Sequence, residues 1–377
     1  MTSQYQREPE LGDGLRLHLN ENTGGCSPAV LAALRSLSPM DAAVYPDYAR
    51  VTYVCARHLG VDPARLLLTN GLDEGILAAA IAYLQRQPGS SSGTVSGTAS
   101  RTASRTVSGT VSGTASGTEP GAPEGLIAEP CFGMYADCIE AVGGRIVRVA
   151  PPADLQFPLE AVLAAITPLT RVIYLTSPGN PTGLLIPHAA VHALARALPD
   201  GLVFVDEAYA DFTDAHFLGE LRDAPNVVVG RTFAKAYGLA ALRIGAVVGD
   251  ESVIARLRRS LPPYSINVAA AVALEAALGD QAHLDAYRAE VRASKARVYA
   301  VCDRLGLAYW RSEANFVLIR VGDRATAIVE ALRQRRIFVR DRSTEPGCAG
   351  CIRITAGVLA HTEQALAALE DILCAVA

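Results

Sequence analysis

Lysine is almost missing from this chain. Its 377 residues include only Lys235 and Lys295, against 32 arginines. Arginine serves wherever only a positive charge is needed, but a guanidinium does not deprotonate in a protein and so cannot attack a carbonyl. A lysine retained here is a candidate for amine chemistry. Lys295 is the internal control, because RASKARVYAV reads as an amphipathic helix with Lys295 on its solvated face. No apolar run of about 18 residues is present, so no membrane-spanning helix is expected. The stretch MTSQYQREPELGDG lacks an apolar signal core, and a cytoplasmic location is expected. A net charge of −4 argues against a general nucleic-acid binder. The eight cysteines are scattered, and only Cys348 and Cys351 form a CxxC. Neither a second pair nor nearby histidines accompany it, so it reads as two loop thiols and not as a zinc site. His188 and His192 are spaced as neighbours on a helix, without the acidic partner of a zinc-protease motif, and read as helix surface.

What is present suggests two domains around a sizeable core, since half the residues are hydrophobic. From Ser92 to Thr118 a four-residue unit, SGTV or SGTA with SRT variants, repeats between flanking prolines. Such a segment cannot bury a core and is expected to be a flexible or disordered insertion, about 89–124. Before it, 73–87 reads as a helix. After it, short strands apolar on both faces alternate with helices: 125–130, 171–177, 201–209, 226–232 and 244–250 are the clearest. That pattern predicts an α/β fold with a mainly parallel sheet covered by helices. Beyond about residue 250, long helices at 268–279 and 282–305 precede strands 315–320, 337–341 and 351–357 and a final helix. This predicts a large domain over 45–255 and a smaller α+β domain from 1–44 and 256–377.

Four motifs fall at strand ends, where open α/β sheets bind ligands. TNGLDEG (69–75) offers a glycine turn and a helix N-terminus suited to a phosphate. TSPGNPTG (176–183) holds Asn180 in a turn with its amide free. VFVDEAYADF (203–212) ends an apolar strand on Asp206, an unpaired charge there being costly, so a positive partner is expected. TFAKAYGLAALRIG (232–245) carries Lys235 between Thr232 and Arg243, the latter a forked donor for phosphate. Together these supply what pyridoxal phosphate needs: a lysine for a Schiff base, an anion for the pyridinium nitrogen, donors for the ring oxygen and a phosphate cradle.

On SPGNPTG, VDEAY and the lysine–arginine motif, the chain resembles the fold type I pyridoxal-phosphate aminotransferases, closest to the histidinol-phosphate aminotransferases. The resemblance runs from about Leu17 to the C-terminus, outside the repeat. It implies that Lys235 forms the Schiff base and shuttles a proton, that Asp206 holds the ring nitrogen protonated, and that Asn180 and Tyr209 bond the ring oxygen. It implies Phe132 as the stacking ring. Gly71, Leu72, Thr232 and Arg243 would hold the phosphate, with Asp73 counted among the cofactor-binding residues. Tyr45 would reach the neighbouring subunit's phosphate, which implies a homodimer. Arg353 is implied for the substrate carboxylate, Arg340 for the substrate's own phosphate, and Asn20 for the segment covering the site; Tyr5 matches the family's N-terminal tyrosine less closely. Ala234 departs from the family's usual serine, Phe132 from its tyrosine, and ENTGGCSP from its segment after the asparagine. The implied reaction is transamination between histidinol phosphate and 2-oxoglutarate. The other readings are an aromatic amino acid aminotransferase, a threonine-phosphate decarboxylase-like enzyme, and an inactive homologue that binds a ligand or regulates a partner.

Overall fold

The computed structural model describes residues 12–85 and 121–374. The repeat, the last residues of the expected 73–87 helix, the last of the C-terminal helix and Tyr5 lie outside the described residues. Seven strands form the central sheet, in the spatial order Leu66–Thr69, Gly245–Gly249, Val227–Thr232, Leu202–Asp206, Thr170–Thr176, Glu124–Ala128 and Arg145–Val149. All neighbours are parallel except Gly245–Gly249, which runs antiparallel to both of its partners.

Period-two alternation divides the residues of these strands between the two faces of the central sheet. Leu126, Ile173, Leu175, Val203, Val205, Val227 and Val229 point into one hydrophobic cluster. Ile127, Val172, Tyr174, Leu202, Phe204 and Val228 point into the other. Burial on both faces explains why these strands read as continuous apolar runs. The strand Leu66–Thr69 was not read from sequence: four residues are too few to show a period.

A second core gathers Leu17, Val298, Val317, Ile319, Ile352, Ile354 and Leu366. It backs a four-stranded antiparallel sheet containing Phe316–Arg320, Arg340–Asp341 and Cys351–Thr355. The expected 337–341 strand is two pieces: Ile337–Phe338 pairs with Leu15–Arg16, and Arg340–Asp341 with the 351–355 strand. The helix Val268–Gly279 buries Ala270, Ala273, Leu274 and Ala277 in the central-sheet cluster.

Lys295 requires a correction. It is buried, not solvated, and its ammonium donates to the Ser312 carbonyl at 2.6 Å. A long apolar stem lets lysine cross a helix face to reach a carbonyl, so helical position alone misplaced it. The histidine pair also differs from its sequence reading. His188 Nδ1 and His192 Nε2 meet the two oxygens of Glu220 at 2.5 and 2.6 Å. The acid comes from 28 and 32 residues further on, beyond any local motif. No cluster of three or more candidate metal ligands occurs among the described residues, and no described helix is long and apolar enough to cross a membrane.

Candidate functional site

The register of the central sheet assembles the site. Thr69 and Thr232 both pair with Gly245, and Thr176 pairs with Asp206. Four motif-bearing strands therefore end on one edge. A Cβ on Gly245 would lie 2.7 Å from the Leu72 nitrogen, so this glycine lets the helix Leu72–Leu84 begin directly against the sheet. Gly71 precedes it at φ 74°, and a Cβ there would lie 2.3 Å from Arg243 Nη2. The helix has no side-chain cap, so its first N–H groups are available beside the Arg243 guanidinium and Thr232. Asp73 steers Arg243 through an ion pair of 2.7 Å.

Asp206 ends its strand with 4% exposure. The expected positive partner is not among its hydrogen-bond partners, which are neutral: the Tyr135 hydroxyl at 2.7 Å and the Ala208 amide at 2.9 Å. Burial outweighs both donors and raises the carboxyl to about 6. The next residue, Glu207, faces the other way, toward Arg231 at 3.3 Å and the Phe217 amide. Tyr135 also contacts Thr176 Oγ1 at 2.6 Å and receives Phe132 edge-on, with ring centroids 5.8 Å apart. Sequence reading missed Tyr135. Its only local signal is a tyrosine three residues after Phe132, and its partner is 71 residues away.

Lys235 Nζ donates to the Leu19 carbonyl at 2.9 Å. Burial first, and the Arg353 charge second, lower its ammonium to about 8. The segment above it is fixed from the second core. Arg353 Nη2 donates to the His18 carbonyl at 2.5 Å, the Asn20 amide donates to Thr355 Oγ1 at 3.1 Å, and Asn315 donates to the Asn20 carbonyl at 3.1 Å. Asn20, at φ 56°, donates from its side chain to the Tyr209 hydroxyl at 2.9 Å.

Arg353 is 4% exposed and has no carboxylate partner among the described residues. It donates to Asn180 Oδ1 at 2.5 Å and lies over Phe316, 5.2 Å from the ring centroid. Burial, then the charge of Arg342, lowers it to about 9. Arg340 stands directly opposite Arg353 in strand register. Arg342 was not singled out from sequence, yet it donates to the same Asn180 oxygen at 3.1 Å. Tyr45 lies apart from these groups, 73% exposed and stacked on Tyr264 with centroids 4.0 Å apart.

One end of the central sheet thus holds an amine with a lowered pKa, a buried carboxyl and an anion cradle, and Arg353 of the smaller sheet, with no carboxylate hydrogen-bonded to it among the described residues, meets them through Asn180. Known proteins resemble this chain in sequence and in fold. Residues 116–370 match the family model described as aminotransferase class I and II. A histidinol-phosphate aminotransferase of Moorella thermoacetica is 32% identical over 98% of this chain and 88% of its own. One from Anoxybacillus flavithermus is 33% identical, covering 98% and 91%. The crystal structure of histidinol-phosphate aminotransferase from Sinorhizobium meliloti in complex with pyridoxal-5'-phosphate has a TM-score of 0.80 at 27% identity, covering 97% of this chain and 92% of that one. The chain belongs to the aminotransferase class I and II family.

Proposed function

We propose that this chain is a pyridoxal-phosphate-dependent histidinol-phosphate aminotransferase, converting histidinol phosphate and 2-oxoglutarate to imidazole-acetol phosphate and glutamate. The observation that carries the reading is the meeting of Lys235 and buried Asp206, at one end of the central sheet, with buried Arg353 of the smaller sheet, which has no carboxylate hydrogen-bonded to it among the described residues. Relatives of that activity at about one-third identity over nearly the whole chain support the substrate.

The residues fit the cofactor. Asp206 is a buried acid bonded only to neutral donors, which suits a protonated ring nitrogen. The missing Cβ of Gly71 and the uncapped helix start suit a phosphate. The buried Arg353 Nε has no partner among the described residues, which suits an incoming anion. Bound pyridoxal phosphate supplies an aldehyde carbon and an electron-withdrawing ring. The chain supplies the remainder. Lys235 Nζ would be the nucleophile toward that carbon and would carry the proton from substrate Cα. Asp206 would hold a proton on the ring nitrogen. Asn180 and Tyr209 would donate toward the ring oxygen. Gly71, Leu72, Thr232 and Arg243 would hold the phosphate, with Asp73 fixing Arg243, and Phe132 would cover the ring. Arg353 and Arg340 take the acidic group of the substrate, under the Asn20 segment.

The reading extends to a cytoplasmic homodimer in which Tyr45 reaches the partner's cofactor phosphate. It also extends to a division into units of 45–255 and of 1–44 with 256–377. Two separate cores support that division, although the helix Val268–Gly279 adheres to the larger one.

The test is a half-reaction screen of the cofactor-loaded enzyme. Histidinol phosphate, phenylalanine, tyrosine and phosphothreonine are offered as amino donors while the visible band of the cofactor is followed. Histidinol phosphate is expected to bleach the band fastest. No response to it, beside a fast response to phenylalanine, would replace this reading with an aromatic aminotransferase.

A further inference from the structure

Arg342 and Glu345 face each other across one turn: the Glu345 amide donates to the Arg342 carbonyl at 3.0 Å, and the Arg342 guanidinium bonds the Glu345 carboxylate. Further backbone bonds run from Cys348 N to Glu345 O at 3.0 Å and from Cys351 N to Cys348 O at 2.9 Å. They tie this turn to the strand that carries Arg353. Arg342 is largely buried, with a side-chain exposure of 13%. Its Nη2 and Arg353 Nη1 donate to the same oxygen, Asn180 Oδ1. An amide oxygen accepts two such bonds, so this one is filled and its amide group is left to donate outward. The Nε atoms of both arginines, and Glu345 Oε2, are buried without a partner among the described residues. The two guanidiniums therefore converge on one amide oxygen, and each keeps an Nε that no described residue uses.

Geometry decides which anion uses both. A carboxylate is planar and pairs with one guanidinium fork. A phosphate monoester has three terminal oxygens in a tetrahedral array, enough for a second guanidinium. We propose that Arg342 is a specificity-determining residue, which joins Arg353 on the acidic end of the substrate and favours a phosphate monoester over a carboxylate. Glu345 tethers it and offsets its charge while no anion is bound. The assignment rests on the transaminase reading above, and it adds a residue outside the Arg340–Arg353 pair.

Calorimetric titration of cofactor-loaded enzyme tests it, with inorganic phosphate and succinate as probes. Arg342→Gln keeps a donor for Asn180 but removes the charge and the fork. It is expected to weaken phosphate about tenfold or more, the value of a charge-assisted hydrogen bond, and succinate by less than about threefold. Arg342→Lys is expected to recover part of the phosphate affinity. An equal loss for both probes, or no loss for phosphate, overturns the assignment. The outcome is independent of turnover. Wild-type enzyme that discriminates through Arg342 but is inert to histidinol phosphate would refute the functional reading and keep this one.

Discussion

At the scale of single residues, the site is a set of groups held away from their ordinary protonation. Burial raises Asp206 to about 6 and lowers Lys235 to about 8. The amine must be neutral to attack an aldehyde, and the neutral fraction rises with pH up to its pKa. Capture of pyridoxal phosphate by the cofactor-free protein is therefore expected to speed up by about tenfold per pH unit below about 8, then level off. Stopped-flow absorbance from pH 6 to 10 measures this; an unshifted amine would keep accelerating toward the ordinary lysine value of 10.5. Lys235 stands out in the sequence because arginine could not serve as an amine nucleophile in its place. Tyr135 and Arg342 do not, because each acquires its meaning from an oxygen 71 or 162 residues away.

At the scale of elements, the proposed cofactor cradle depends on how closely one helix start approaches the sheet. Gly71 combines a positive φ with a Cβ position already filled by the Arg243 guanidinium. Gly71→Ala is expected to weaken pyridoxal phosphate about tenfold or more, through backbone strain and a displaced Arg243. Spectrophotometric titration measures the loss, and unchanged affinity would remove Gly71 and Arg243 from the cradle. Apolar strands flanked by helices were legible, since burial on both faces writes an unbroken run of Val, Ile and Leu. The four-residue strand Leu66–Thr69, the split at Val339 and the inward reach of Lys295 were not. The first two are too short for periodicity, and the third depends on side-chain length.

At the scale of the whole molecule, two cores meet across the site: Lys235, Asp206 and Asn180 come from one side, Arg353 and the segment of Leu17 to Asn20 from the other. The exposed apolar groups Leu31, Met40, Val44, Tyr45, Tyr53 and Tyr264 belong to the N-terminal helices and the loop before Val268. Tyr45 and Tyr264 of this set stack on each other, and a contiguous exposed apolar patch marks a contact surface. Sedimentation equilibrium is expected to return twice the chain mass, and Tyr45→Asp is expected to reduce it; a monomeric wild type would contradict the proposed homodimer. The repeat at 92–118 reads as flexible from its composition and as an insertion only from the helix and strand on either side, and it lies outside the described residues.

The central claim is that the Lys235 amine, and not merely a cation at position 235, carries the chemistry. An absorbance scan of purified wild type and Lys235→Ala with added pyridoxal phosphate, beside far-ultraviolet circular dichroism, tests it most directly. Wild type is expected to show the visible band of lysine-bound cofactor and to lose it on adding amino donor. Lys235→Ala is expected to keep its fold and lose both the band and transamination. A wild type without the band, or a Lys235→Ala protein that still turns over, would contradict the account.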